Sequence, residues 1–202
     1  MKPSTKACCD KRSRIFLLIS AGIWVSLLVA GFTILEREEF TPVISNPIVP
    51  SFPHRSAIQL ASDKPTLLLF LHPYCPCSRA SLHELDELMA ETQNKLSTTI
   101  VFTIPNGLAP GWEQGALWKS ATAMPGIHIF RDQDGVEARR FGVIGSGHTL
   151  LFTPSGKLLF SGGITASRGH EGDNPGLSAI VSFVLNGYAL VNHTPVFGCS
   201  LL

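Results

Sequence analysis

Apolar and polar positions follow two different patterns along this chain. From Ile15 to Leu35 the run IFLLISAGIWVSLLVAGFTIL contains 21 residues and no charge. At about 1.5 Å per residue it covers the roughly 30 Å hydrocarbon core of a bilayer. Buried core helices are seldom this long, continuous and terminal. A cleavable signal sequence has a shorter apolar stretch ending in small residues, whereas here Leu28 precedes Ala30. An uncleaved single-pass anchor over 15–35 is therefore expected. Glu36 to Pro53 carries Pro42, Pro47, Pro50 and Pro53 with no helical period, and reads as an extended spacer over 36–54. The soluble domain is expected over 55–202.

Within that domain the pattern changes to alternating elements. Thr66–Leu71 (TLLLFL) is a short continuous apolar run, as in a buried central strand. From Cys77 to Ala90, Leu82, Leu85, Leu88 and Met89 fall on one helical face, with His83, Glu84, Asp86 and Glu87 on the other. Thr98–Ile104 predicts a second strand, stopped by Pro105-Asn106-Gly107. Gly111–Ala123 predicts a helix and Ile127–Phe130 a third strand, after which Asp134-Gly135 begins a short turn into Val136–Phe141. Thr149–Thr153 and Lys157–Ser161 form a hairpin around Pro154-Ser155-Gly156. A last helix spans Pro175–Asn186, capped by Asp173 or Asn174. The order β-α-β-α-β, hairpin, α predicts an α/β domain: a mixed sheet with helices on both faces.

Composition and charge narrow the function classes. The 202 residues are 45% hydrophobic and 15% charged, which excludes a disordered chain. Sixteen Lys+Arg against 15 Asp+Glu leave no basic excess, which argues against a nucleic-acid partner. The charge is unevenly placed. Residues 1–14, the expected cytoplasmic stub, hold Lys2, Lys6, Lys11, Arg12 and Arg14 against Asp10, a net of +4, so the remainder of the chain sums to −3. The positive-inside rule then puts the N-terminus in the cytoplasm and the domain outside it, periplasmic in a cell with two membranes.

The five cysteines divide by location. Cys8 and Cys9 lie on the cytoplasmic side, as reduced bystanders or as sites of acylation. Cys75, Cys77 and Cys199 lie where disulfides persist. Cys75 and Cys77 stand in His72-Pro73-Tyr74-Cys75-Pro76-Cys77-Ser78-Arg79, where the first strand gives way to a helix. Unpaired N–H groups and the positive dipole end favour a thiolate there, and Arg79 can add positive potential. Cys199 has three open readings: a resolving cysteine for Cys75, a metal ligand, or a buried inert thiol. The Gly-rich stretch 162–176 lacks the spacing of a phosphate loop and reads as a structured loop, from which Arg168, His170 and Glu171 can approach the cysteines.

A strand running into paired cysteines and a helix, in this element order, resembles the thioredoxin fold. From about Lys64 to Ser161 the chain resembles membrane-anchored thioredoxin-like proteins of the TlpA/ResA type, and it is similar to their RedB-like branch around HPYCPCSRAS. The second point of resemblance is Phe141-Gly142-Val143-Ile144-Gly145-Ser146-Gly147-His148-Thr149, where relatives commonly read G-V-x-G-T-P-T-T. The resemblance implies a thiol–disulfide oxidoreductase acting on protein thiols or disulfides, without a cofactor and with a redox partner. Cys75 would attack and Cys77 or Cys199 would resolve, with Pro76 and the helix N-terminus setting reactivity. Tyr74 takes a slot often aromatic in relatives and reads as a packing lid.

Two positions depart from the relatives' pattern. Pro76 alone separates the cysteines, so a Cys75–Cys77 bond would close a small ring and is expected to be oxidising. Gly147 replaces a cis-proline, so a trans bond and close backbone approach are expected there. The resemblance further implies that the Gly147–His148 loop faces the cysteines, although an isolated loop histidine is ordinarily solvent-exposed. On that placement Cys75, Cys77 and His148 form an alternative Cu(I) site of the Sco type, whose cysteines are more widely spaced. A third alternative is a non-catalytic interaction domain.

Overall fold

The computed structural model describes residues 5–43, 49–93 and 95–201. Residues 1–4 of the expected stub and residues 44–48 of the expected linker, Pro47 among them, lie outside the described residues. The chain forms two compact units, Met1–Thr41 and Pro42–Leu202.

Among the described residues the first unit is a single helix, α1 (Thr5–Phe40). Its stretch Arg12–Phe40, 29 residues with mean hydropathy 2.4, is long and apolar enough to cross a membrane. The helix continues beyond Leu35 through Glu36–Phe40, so the first five residues of the Pro-rich stretch are helical. Glu and Arg are good helix formers, and the helix stops two residues before Pro42.

The second unit is built on a five-stranded sheet in the order β3-β2-β1-β4-β5. Strands β1 (Thr66–Leu71), β2 (Ser97–Ile104) and β3 (Ile127–Gln133) are parallel. Strand β4 (His148–Phe152) runs antiparallel to β1 and forms a hairpin with β5 (Leu158–Gly163). Four helices, α2 (Ser78–Glu91), α3 (Ala116–Ala123), α4 (Val136–Phe141) and α5 (Pro175–Asn186), complete it. This is the thioredoxin-like mixed sheet that the element order predicts.

Strand alternation explains why β1 reads as an unbroken apolar run. Leu67, Leu69 and Leu71 point to a core shared with Leu85 and Leu88 of α2 and Ile180 of α5. Leu68 and Phe70 point to the opposite core, with Val101, Phe141 and Phe152. A strand buried on both faces has no polar side to show.

Three differences from the sequence pattern have local causes. Val136–Phe141 is a short helix, because both carboxylate oxygens of Asp132 accept the N–H groups of Glu137 and Ala138 at 2.8 and 2.9 Å. Gly111–Gly115 forms turns instead of helix, and α3 begins only at Ala116. The segment around Phe52 does not stand clear of the domain. Phe52 packs edge-on against Phe141 and Phe152 at 5.2 Å each, and Leu158 N donates to Pro50 O at 3.1 Å. An aromatic side chain in a Pro-rich segment gains more from the core than from solvent.

Candidate functional site

The site begins where β1 ends. Cys75 N donates to His72 O at 3.1 Å, Ser78 N to Cys75 O at 3.1 Å and Arg79 N to Pro76 O at 3.4 Å. These turns feed the chain into α2, with Cys77 as its N-cap residue. The Cys77 side chain makes no capping bond, which leaves the thiol available for other partners. Tyr74 lies against Trp112 at 4.6 Å between ring centroids and donates its hydroxyl to Trp112 O at 2.6 Å. It therefore pins the turn before α3 beside the motif. A cleft of about 810 Å³ between α2 and α3 is lined by Tyr74, Cys75, Pro76, Arg79, Leu117 and Met124.

The third thiol arrives from the far end of the chain. Ser146 N donates to Cys199 O at 2.8 Å and Leu201 N to Ile144 O at 2.8 Å, fastening the C-terminal segment beside the loop before β4. This brings Cys199 Sγ to 2.8 Å from Cys75 Sγ, and the sulfurs of Cys75, Cys77 and Cys199 all lie within 4.8 Å of one another. Ser146 also binds the motif from the other side: its hydroxyl accepts His72 N at 2.9 Å and lies 2.7 Å from the Ser78 hydroxyl. Arg168, from the Gly-rich loop, donates to Gly198 O at 2.6 Å.

The environment separates the three thiols. Burial pushes the Cys75 thiol up, but hydrogen bonds from Cys199, Ser78 and the Cys77 backbone outweigh it and lower the pKa overall. Burial, the hydrogen bond to Cys75 and the charge of a Cys75 thiolate push Cys199 up to about 12. Cys77 is raised by burial and by Cys75, with Arg168 opposing. The site thus shifts the Cys75 thiol in the opposite direction to Cys77 and Cys199.

The remaining expected residues fall in different places. Arg79 lines the cleft. Gly147 has φ of +91°, its N–H donates to Phe70 O at 2.8 Å, and no cis peptide occurs among the described residues. A Cβ at Gly147 would sit 3.0 Å from Ser81 Oγ in the first turn of α2, so the loop does press against the cysteine helix. His148 is a correction to the exposed loop histidine. It opens β4, paired with Phe70 and Gly163, is 1% exposed, and its Nε2 lies 2.9 Å from Ser161 Oγ. Burial and the nearby His193 lower it to about 4. The group of candidate soft-metal ligands contains Cys199 where the sequence suggested His148.

Of the three loop residues named as able to approach the cysteines, Arg168 acts on Cys77 and binds the segment that carries Cys199. Its position depends on distant anchors. Glu84 of α2, fully buried, accepts Gly172 N at 2.6 Å and Asn174 Nδ2 at 2.9 Å, tying the Gly-rich loop to the cysteine helix. His83 and Glu171 add a contact at 3.8 Å between half-exposed groups. No local spacing in the sequence marks these pairs.

No protein-family model and no curated protein sequence matches this chain. Solved structures do. A hypothetical protein from Sinorhizobium meliloti 1021 is 17% identical with a TM-score of 0.62, covering 78% of this chain and 96% of its own. An uncharacterized conserved protein from Geobacillus kaustophilus is 17% identical with a TM-score of 0.58, covering 80% and 92%. A secreted Mycobacterium tuberculosis disulfide oxidoreductase homologous to E. coli DsbE is 16% identical with a TM-score of 0.43, covering 63% and 84%. The first two likenesses, with the strand order above, establish the fold of the second unit.

Proposed function

We propose that this chain is a membrane-anchored thiol–disulfide oxidoreductase whose soluble domain works outside the cytoplasm, with Cys75 as the attacking thiolate. The observation that carries this reading is the Cys75 sulfur, which sits at the β1–α2 junction with a lowered pKa and a second thiol sulfur 2.8 Å away. A thiolate attacks a disulfide sulfur to form a mixed disulfide, and a neighbouring thiol then releases the substrate. Protein thiols or disulfides are the substrates, a dithiol protein is the redox partner, and no cofactor is required. Helix α1 supplies the anchor, and the net +4 of residues 1–14, ahead of the uncharged run 15–35, favours an N-terminus in the cytoplasm.

The test uses the full chain in detergent, alkylated with a mass tag across a glutathione redox series. A reversible two-electron couple that disappears in Cys75→Ser is expected. Thiols that hold one oxidation state across the physiological range would sink the reading.

A second reading has one observation in its favour. Three cysteine sulfurs within 4.8 Å form a soft donor set suited to Cu(I). Stoichiometric copper in the same preparation, lost in Cys75→Ser, would favour copper binding, with Cys199 as third ligand.

A further inference from the structure

We infer that Cys199, and not Cys77, is the resolving thiol: the working disulfide joins the strand–helix motif to the C-terminal segment. The inference rests on the reading of Cys75 as the nucleophile and specifies its partner. Two observations support it, and a balanced exchange follows from them.

The first is proximity. The Cys75 sulfur is in direct contact with Cys199, at 2.8 Å. A bond to Cys77 would instead close a ring across Pro76, with Cys77 already in helical conformation (φ −67°, ψ −24°) and Ser78 N bonded to Cys75 O. Disulfides need particular Cα separations and dihedrals, which a one-residue spacing inside a helical turn does not offer without backbone movement.

The second is that the segment carrying Cys199 is built into the domain. Thr194 and Val196 are buried, and Leu201, 7% exposed, joins the core that contains Phe70. Hydrogen bonds flank the thiol on both sides: the Arg168 guanidinium donates to Gly198 O, Ser146 N to Cys199 O and Leu201 N to Ile144 O. Gly198 is required for this docking, because a Cβ there would lie 1.9 Å from Ser146 O. The thiol is presented by a fitted strap.

The exchange steps follow from this contact. In the reduced site a hydrogen bond joins the Cys75 and Cys199 sulfurs at 2.8 Å, and Cys75 enters the reaction as the thiolate with Cys199 as the thiol. Cys75 attacks a substrate disulfide R–S–S–R′, forming Cys75–S–S–R and releasing R′S⁻, which takes a proton from solvent. The mixed disulfide leaves Cys199 against the Cys75 sulfur that it must attack. Cys199 gives up its proton and attacks Cys75 Sγ, and RS⁻ leaves with that proton. The substrate gains two electrons and two protons, and the protein is left with a Cys75–Cys199 disulfide. A dithiol donor reduces this bond to restart the cycle, and the reverse sequence oxidises a dithiol substrate.

The experiment uses the full chain in detergent, with Cys8 and Cys9 changed to serine and a glutathionylated model peptide as disulfide substrate. Non-reducing peptide mapping of the oxidised protein should find Cys75 linked to Cys199. Cys199→Ser should accumulate the Cys75–peptide mixed disulfide and lose about 100-fold in turnover, while Cys77→Ser should stay within about 5-fold. A mapped Cys75–Cys77 bond, or trapping in Cys77→Ser with turnover retained in Cys199→Ser, would overturn the inference and leave the nucleophile intact. Exchange retained in Cys75→Ser would overturn the functional reading itself. The mapping needs no Cys199 variant, so a misfolded variant cannot hide the answer.

Discussion

Cys75 and Cys199 reach one another from segments of opposite construction. Residues 72–81 are fixed by local chemistry: a strand ends, two turns close, and a helix with an apolar face on Leu82, Leu85 and Leu88 begins. The segment from Tyr188 to Leu201 has no helix or strand of its own among the described residues. It is placed by bonds to Ser161, Gly163, Ile144 and Ser146, from strand β5 and the loop before β4. The motif is thus encoded by periodicity and the strap by complementarity to a surface that forms elsewhere. The geometry of the reacting pair depends on both, so a substitution far from either sulfur can separate them.

The most severe way to break the comparison is to remove the nucleophile. Cys75→Ser should cut thiol–disulfide exchange by at least about 1,000-fold, because a hydroxyl does not supply a thiolate; turnover of a fluorescent peptide disulfide reads this directly. Next in size is the effect of oxidation on stability. A bond between residues 124 apart in sequence should stabilise by about 5 kcal/mol in the chain-entropy model, against about 2 kcal/mol for a ring across Pro76. Urea unfolding of the oxidised and reduced protein separates these values, and a gain near the smaller figure would point to Cys77.

Acid sharpens the comparison from the sheet side. His148 has a folded pKa of about 4 against an ordinary value of 6.5. Between those two pH values the unfolded chain binds a proton that the folded chain refuses, so stability should fall as pH falls through the window. The full effect is about 3 kcal/mol, present below pH 4 and absent above 6.5. His148→Gln, which keeps a polar partner for Ser161, should flatten that slope in a series of unfolding midpoints. Gly198→Ala probes the strap: the added Cβ should cost about 1–3 kcal/mol and lower the yield of the Cys75–Cys199 peptide. The smallest expected change is Asn174→Ala. It removes the cap of α5 and one partner of buried Glu84, costing about 1–2 kcal/mol in thermal or urea unfolding.

The sequence was informative where structure is local. The two-sided core around β1, the helix after the cysteines, the hairpin and the start of α5 at Pro175 all follow from apolar period and turn residues, and Asn174 is the cap. The helical identity of Val136–Phe141 was hidden because its capping carboxylate, Asp132, lies in the preceding strand. His148 departs from the exposed loop position because a strand starting at residue 148 carries it into the sheet interior, where Ser161 satisfies its ring. Arg168 and Cys199 were legible only as residue types. Their neighbours are 30 and 124 residues away in sequence, and no pattern along the chain records such distances.

The strap also shields the margin of the sheet. Strand β5 is the outermost strand on its side, and such strands are templates for pairing with foreign chains. Here Ser161 N donates to Asn192 O, Gly163 N to Pro195 O, and Ser161 O accepts Thr194 N. The peptide that delivers Cys199 therefore occupies the positions an aggregating strand would take. A lesion that frees this segment would have two results from one event, an unresolved mixed disulfide and an exposed sheet edge.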